Sequence, residues 1–392
     1  MSRLRRGEVI DESVVGIYHC WNRFVRQLHL AGVDPVTGVD RSERKLWFIE
    51  RLEELAHAFL VDVISFAIMS THYHLILRNR PDLAAAISDE DVVRRWRAAY
   101  PHRRDKDGKP IEPSDHEIRL DLGDPNTVAE WRRRLSSISW MAKCFSEVIA
   151  KRANTDDNVQ GAFFAHRFKC TGLEDEAAVT ACMAYVELNE IRARLAESPE
   201  TSRHSSIWLH LQGVLARAEA ASGAEGSELP GTPDGAASLA AVLADGLRRL
   251  GGGKLDLARR GDPDAWLSPI AETTSLPCLA PFGREAEFRA DLPVGYVPRR
   301  QGALPVSMEQ FLELVDWTGR QVHVGKAGVI PSSLAPILQR LGLRDGMWHE
   351  TAGNFADWFT YVAGRAERMI EFATRVGLNW VRGLRRARQA FE

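Results

Sequence analysis

The chain of 392 residues lacks any apolar run that approaches the ~20 residues of a membrane-spanning helix. Its start, MSRLRRGEVIDE, is basic but lacks the apolar stretch of a secretory signal peptide. The five cysteines are scattered and form no Cys-x-x-Cys pair, which argues against a disulfide framework or a zinc ribbon. We therefore expect a soluble cytoplasmic protein without a membrane partner.

The chain also lacks a strong net charge, because 51 lysine and arginine residues oppose 53 aspartate and glutamate residues. The formal charge of −2 creates no global cationic field, so any attraction to nucleic acid must be local. Hydrophobic residues make up 45% of the chain, which suits a protein with a real core. The length allows two domains of roughly 100–200 residues each.

No glycine-rich phosphate loop and no regular β-α-β alternation is present between Gly16 and about Leu211. Strand-like and helical patterns are mixed instead, which predicts an α+β domain with an antiparallel sheet. The predicted strands cover residues 15–25, 62–69, 71–79 and 161–173, and the predicted helices cover residues 42–61, 128–154 and 174–197.

A stretch of small and polar residues rich in glycine and proline, AEAASGAEGSELPGTPDGAA, interrupts the second half of the chain. This composition is typical of a linker. We expect a first domain over residues 1–215, a flexible linker over 216–240 and a mainly helical C-terminal unit over 241–392.

The stretch MSTHYHLIL places His72 and His74 one residue apart in a predicted strand. With 12 histidines in the chain, chance alone gives roughly 0.4 such pairs, so the pair by itself means little. Because side chains alternate along a strand, both imidazoles share one face, while Tyr73, Leu75 and Leu77 share the core face. The pair is either half of a divalent-metal site or a packing pair.

A second pattern lies in ACMAYVELNEIRARL, where Tyr185 and Asn189 are four residues apart. On a helix this spacing presents a phenol and an amide oxygen on the same face. The alternative is an ordinary half-buried tyrosine within a helix.

Five segments together resemble the single-tyrosine HUH transposases, in particular the REP-associated tyrosine transposases and their insertion-sequence relatives. AIMSTHYHLILRN resembles the family's MxNHxHLLL strand, and GAFFAHRFKC resembles its GxFWxxRFKS strand. AYVELNEIRARLAESPE resembles its YVxLNPVRAGLAxxPE helix, RHSSIWLHL resembles its xxSSIxxxL segment, and YHCWNRFVRQLHLAG is similar to the start of the domain. The segments cover most of residues 15–211, and the C-terminal half is similar to an extension in one long subgroup.

The resemblance implies a ferredoxin-like antiparallel sheet with packed helices, the HUH endonuclease domain. It also implies cleavage of single-stranded DNA through a 5′-phosphotyrosine, at palindromic repeat hairpins, by a monomer or homodimer. Tyr185 matches the nucleophile, and the metal ligands for one Mg²⁺ or Mn²⁺ are His72, His74 and Asn189. The implied activity is that of a metal-dependent tyrosine DNA transposase or endonuclease.

Three positions depart from the family pattern. Glu190 replaces the proline that usually follows the asparagine of the helix, so the helix can run on. Thr71 replaces the asparagine before the first histidine, and Tyr73 stands where valine is usual. None of the three removes an atom of the implied site.

Local arginine clusters supply the positive charge that the whole chain lacks. In the stretches RRWRAAYPHRR and EWRRRL, arginines lie next to or between Trp96, Tyr100 and Trp131. This arrangement suits phosphate contact and base stacking. The alternative is a set of solvated helix faces. The predicted DNA-binding residues are Arg94, Arg95, Arg97, Arg132, Arg133, Arg167 and Lys169.

Two other functions stay open. One is a hairpin-DNA-binding regulator that has kept the fold and lost the chemistry. The other is a metallohydrolase that activates water at the two histidines, although Asp62 is the one acidic residue near the motif and lies a strand away.

Overall fold

The computed structural model describes the chain in several segments, and each statement below concerns these residues. They are 4–106, 108, 110–196, 198–223, 263–272, 275–277, 299–322, 355 and 358–391. Most of the predicted linker over 216–240 therefore lies outside the described residues, although its first part belongs to a helix that continues to Gly223.

A five-stranded mixed sheet forms the centre of an α+β fold. Its strands are β1 (Gly16–Arg23), β2 (Val61–Ile68), β3 (His72–Asn79), β4 (Lys169–Leu173) and β7 (Val362–Ala363). They lie in the order β2-β3-β1-β4-β7, and neighbours are antiparallel except for β4 and β7. The antiparallel prediction thus describes four strands, and the added parallel strand makes the sheet mixed. Two short strands, β5 (Ser275–Pro277) and β6 (Arg299–Gln301), pair separately.

Helices surround the sheet. Their bounds are α1 (Arg6–Val9), α2 (Arg44–Ala58), α3 (Pro81–Ala86), α4 (Asp89–Ala99), α5 (Asp115–Leu122), α6 (Pro125–Leu135), α7 (Ile138–Asp156), α8 (Glu176–Glu187), α9 (Asn189–Arg192), α10 (Ser206–Gly223), α11 (Met308–Val322), α12 (Ala366–Arg375) and α13 (Leu384–Phe391). Within the described segments, none of these helices is long and apolar enough to cross a bilayer.

The side chains of β3 alternate between the two faces of the sheet. Tyr73, Leu75 and Leu77 are buried on the predicted core face, where Tyr73 contacts Phe48 of α2 and Phe145 of α7. This prediction is confirmed. The opposite face is also covered, because α8 packs on β2 and β3 and leaves His74 only 3% exposed.

Three predicted elements differ in the structure. The helix predicted over 128–154 is two helices, because the chain leaves helical geometry at Ser137, whose side chain accepts the Trp140 backbone N–H at the start of α7. The strand predicted over 161–173 contains only Lys169–Leu173. The helix predicted over 174–197 ends at Glu187.

The described C-terminal segments pack directly on the first domain. The Trp266 ring stacks on Phe66 of β2 with a centroid distance of 5.7 Å. Arg78 of β3 donates to the Gln301 and Gly302 carbonyl oxygens. Residues from both halves therefore share one hydrophobic core, and β7 extends the central sheet.

Replacing Trp266 by alanine is expected to lower the free energy of unfolding by about 3–5 kcal/mol, because a buried aromatic ring is lost from this shared core. Trp380→Ala is the matched control, since Trp380 is 53% exposed. We expect it to change stability by less than about 1 kcal/mol. Urea denaturation measures both values, and equal effects would contradict the packing described.

Candidate active site

The two predicted histidines lie at one end of β3, beside the end of β1. In the strand register, His72 pairs with Arg23 and His74 pairs with Trp21. The two imidazole rings are nearly perpendicular, with centroids 5.0 Å apart. They share one sheet face, as the strand alternation predicts.

Helix α8 places Tyr185 over the same face. The Asp175 side chain accepts the Ala178 backbone N–H and so fixes the start of this helix. Tyr185 lies two residues before its end, with its ring centroid 5.3 Å from that of His74. The fold thus brings together a phenol and an imidazole more than a hundred residues apart in sequence.

Asn189 lies next to Tyr185, but beyond a break in the helix. The helix is interrupted at Leu188 and not at Glu190: α8 ends at Glu187, and the short α9 (Asn189–Arg192) contains both Asn189 and Glu190. Two interactions account for the break: the Asn189 amide donates to the Tyr185 and Val186 carbonyl oxygens at 3.0 and 3.1 Å. Glu190 turns to Lys45 and His204, with ion-pair distances of 3.5 and 2.9 Å.

A third histidine, missed by sequence reasoning, completes the cluster. His19 of β1 is buried, and its Nε2 lies 2.9 Å from Nδ1 of His74 with the rings stacked. In the segment YHCWNRF, strand alternation could have placed His19 on the same sheet face as Trp21. Without the register between β1 and β3, nothing in the sequence links this residue to His74.

The hydrogen bonds of the histidines determine which nitrogen atoms are available. Nε2 of His74 is buried and has no hydrogen-bond partner. If His74 donates from Nδ1 to His19, its Nε2 carries a lone pair that a cation can take up; in the other tautomer Nε2 carries a proton instead. Nδ1 of His72 lies 2.9 Å from the Thr71 hydroxyl. In both histidines, therefore, a hydrogen bond at Nδ1 favours Nε2 as a ligand atom.

Burial keeps these imidazoles neutral. It lowers the pKa of His19 to about 3, and burial together with the smaller effect of the nearby Arg23 guanidinium lowers the pKa of His72 to about 4. Burial also holds the pKa of His74 well below its usual value, with smaller contributions from His19 and His72. Neutral imidazole is the form that binds a metal ion.

A cation at this site would need a ligand of another kind. The described part of the chain has no group of three or more His, Cys, Asp or Glu side chains that could hold a metal ion. Asn189 stays the predicted third ligand: its amide nitrogen is bound to backbone carbonyls, which leaves its Oδ1 as an acceptor. Two imidazole nitrogens and one amide oxygen suit Mn²⁺ somewhat better than Mg²⁺.

The five arginines predicted on α4 and α6 lie away from this cluster, in a helical subdomain with its own apolar core. Four of them are largely buried, and each of the five pairs with a carboxylate. Arg94 pairs with Glu90 and Glu112, Arg95 with Asp91, Arg97 with Asp121, Arg132 with Asp89, and Arg133 with Glu130 and Glu12. Contact with DNA stays a prediction for them, and the ion pairs favour a structural role.

The aromatic residues beside these arginines pack against one another. Trp96 is only 6% exposed and stacks on Tyr100 and Trp131, with centroid distances of 4.7 and 5.7 Å. A buried ring cannot present a face to a base without rearrangement of the subdomain. The prediction of base stacking at Trp96 is therefore not supported by its position.

Lys169 lies beside the histidine cluster, whereas Arg167 precedes β4. Lys169 pairs with Trp21 in the strand register, and Trp21 also pairs with His74. The Lys169 ammonium lies 4.4 Å from the centroid of the Trp21 ring. Arg167 is exposed in the segment before β4, so the two residues do not share a strand, contrary to the strand predicted over residues 161–173.

Comparison of the chain with protein-family models, with curated proteins and with solved structures finds no match. The function must therefore be argued from the residues and the geometry of the site.

Acidification is expected to destabilise the protein through His19. Unfolded histidine has a pKa of about 6.5, whereas that of folded His19 is about 3. Between these values the unfolded state binds more protons, so the free energy of unfolding falls as the pH decreases. From pH 7 to pH 5 the loss due to His19 is about 2 kcal/mol.

Urea denaturation in EDTA at both pH values measures this loss. We expect His19→Gln to reduce the pH dependence, and the control His116→Gln, at an exposed position, to leave it unchanged. An unaltered pH dependence in His19→Gln would show that the folded state tolerates a charged His19.

Proposed function

We propose that this protein is a metal-dependent single-stranded DNA endonuclease and strand transferase of the single-tyrosine HUH type. One observation carries the proposal: Tyr185 lies over His74 on the same sheet face as His72, with an unpartnered Nε2 on His74. A nucleophile and two ligand-competent imidazoles are the groups that this chemistry requires. Palindromic hairpins are the proposed substrate, as the family resemblance implies.

The connections of the sheet support the same assignment. Helix α2 joins β1 to β2, and β2 continues directly into β3. Helices α3 to α7 lie between β3 and β4, and the antiparallel order is β2-β3-β1-β4. A ferredoxin-like sheet has this order and these connections, with β7 as an addition at the edge.

In the proposed reaction, the Tyr185 phenol oxygen attacks the phosphorus atom of a phosphodiester. A P–O bond to tyrosine forms while the bond to the 3′ oxygen breaks, and the phenol proton ends on the released 3′-OH. The number of ester bonds is unchanged, so a 3′-OH can reverse the step and join strands without ATP.

The residues present fit a divalent cation held by Nε2 of His72, Nε2 of His74 and Oδ1 of Asn189. When bound, such an ion supplies Lewis-acid polarisation of the scissile phosphate. The structural argument for this fit is the orphaned nitrogen of His74, which lacks a protein partner although it is buried.

Arg192 is suited to stabilise the negative charge of the reaction. Its guanidinium lies 5.3 Å from the centroid of the Tyr185 ring, and two of its nitrogens are buried without a hydrogen-bond partner. Burial lowers its pKa to about 10, so the group is still positive at pH 7. A phenol with a pKa near 10 is only about 0.1% ionised at pH 7, and a nearby cation favours the phenolate.

A metallohydrolase that activates water receives less support. The acidic residue nearest to the motif, Asp62, is 3% exposed and accepts from both Arg78 and Arg80. It pairs with Arg78 at the opposite end of β3 from His72. Asp62 is therefore engaged in a buried ion-pair network away from the histidines.

A cytoplasmic location and a monomeric or homodimeric state complete the proposal. The described cysteines, Cys20, Cys144, Cys170 and Cys182, are all buried free thiols. This suits a reducing compartment.

Replacing Tyr185 by phenylalanine is expected to abolish covalent protein–DNA adducts, because it removes the attacking oxygen and little else. Incubation with a labelled single-stranded hairpin and Mn²⁺, followed by a denaturing gel, measures the adduct. Tyr361→Phe is the matched control and should form adducts like the wild type. If Tyr185→Phe gives the wild-type yield, the proposal fails; if the wild type binds the hairpin but never forms an adduct, a regulator with the same fold is favoured.

Chelation is expected to prevent adduct formation, and Mn²⁺ should restore it in the wild type. His72→Gln should lower the rate by roughly 100-fold or more at the same Mn²⁺ concentration, because one ligand is lost. The exposed His116→Gln serves as the control and should respond like the wild type. Full activity in EDTA would exclude the metal-dependent mechanism.

A further inference from the structure

A cavity lies on the sheet face opposite to the histidines. Its volume is about 620 Å³, within the roughly 300–1,000 Å³ of small-ligand sites. Helix α7 and the segment before β4 form its walls, and Asn22 of β1 lines it from the sheet. The cationic and aromatic residues that line it include Arg6, Lys143, His166, Arg167, Trp140 and Phe168.

Within the described residues, the positive charges that line this cavity outnumber the negative ones. Arg6, Lys143 and Arg167 form no ion pair there, and the lining carboxylate, Glu147, bonds to Lys151 at 2.8 Å. The arginines of α4 and α6, in contrast, are each paired with a carboxylate. Uncompensated cations in a cleft favour an anionic ligand.

The cations lie against aromatic rings. The Arg6 guanidinium is 4.5 Å from the centroid of Phe168, and the Lys143 ammonium is 4.5 Å from that of Trp140. Unpaired bases stack on aromatic rings and on guanidinium planes, while nearby cations bind the phosphates. Phe168 is itself only 7% exposed, so a base would stack on the Arg6 guanidinium plane that covers this ring rather than on the ring.

The cavity and the histidine site meet at one edge of the sheet. Alternation along β1 places Trp21 on the histidine face and Asn22 on the cavity face. Lys169 at the start of β4 pairs with Trp21, and Arg167 lies two residues earlier. β7 pairs with β4 only at Gly172 and Leu173, so this pairing does not reach Lys169 at the start of β4.

We propose that this cavity binds an unpaired base of the single-stranded DNA substrate, with Arg6, Lys143 and Arg167 on the adjacent phosphates. The inference rests on the proposed function and extends it. The strand passes from the histidine face over the Lys169 edge into the cavity. The chain therefore holds its substrate on both faces of the sheet.

Fluorescence anisotropy of the full chain in EDTA tests this inference without cleavage. The probes are a labelled (dT)12 and an abasic 12-mer of equal charge. We expect the wild type to bind (dT)12 roughly tenfold more tightly, because only this strand offers bases. Equal affinity for the two strands, or no binding of either, would overturn the proposal.

The triple variant Arg6→Ala, Lys143→Ala, Arg167→Ala tests the phosphate contacts. Its slope of log affinity against log salt should fall by about 2, since each lost contact contributes about 0.7 on a single strand. The control triple variant Arg152→Ala, Arg368→Ala, Arg375→Ala has the same net charge and removes exposed cations that are paired. It should keep the wild-type slope, and equal slopes in all three proteins would contradict the inference.

The variant Ser146→Phe fills the cavity from α7 and should remove the preference for (dT)12 while the salt slope is unchanged. Thermal unfolding verifies that the variants fold, and the comparison of the two strands on the wild type is independent of any substitution. If DNA adducts form at Tyr185 but the cavity variants bind like the wild type, this inference fails and the proposed function stands.

Discussion

The hydrogen bond between His19 and His74 is the interaction on which the site depends. It joins the two central strands at 2.9 Å inside the protein and holds the His74 ring in one orientation. Because Nδ1 of His74 is engaged, Nε2 is left as the atom that faces the remaining groups. The same burial keeps both imidazoles neutral, which is the state that a metal ligand requires.

The C-terminal segments contribute directly to this environment. Phe355 is fully buried and lies 6.3 Å from the ring centroids of both His19 and Tyr185. In addition, β7 extends the sheet beyond β4. The site is thus enclosed by residues from both halves of the chain, and a low local dielectric strengthens its electrostatic interactions.

Local periodicity was sufficient to predict which side chains share a face. The alternation of β3 separated His72 and His74 from Tyr73, because this rule needs no knowledge of other strands. His19 could not be placed in the same way, since its contact with His74 depends on the register of β1 against β3, a long-range property. The end of α8 was also missed, because the contacts of Glu190 with Lys45 and His204 are distant in sequence.

In the arginine clusters, by contrast, local spacing could have predicted the contacts that form. Glu90 and Asp91 precede Arg94 and Arg95 by four residues, and this helical spacing could have indicated the ion pairs that form. The cations of the cavity opposite the histidines, Arg6, Lys143 and Arg167, come from three separate segments. No short stretch of sequence contains them together. Charge that is clustered in sequence was neutralised in the fold, whereas charge that is scattered in sequence was gathered into one cleft.

In the proposed reaction, Tyr185 and no other residue becomes linked to DNA, beside the histidines. Mass spectrometry of a trypsin-digested adduct tests it directly, because cleavage after Lys169 and Arg192 releases one peptide in which Tyr185 is the single tyrosine. We expect a nucleotide attached to that peptide through the Tyr185 oxygen. A nucleotide on any other tyrosine, or on a histidine, would contradict it.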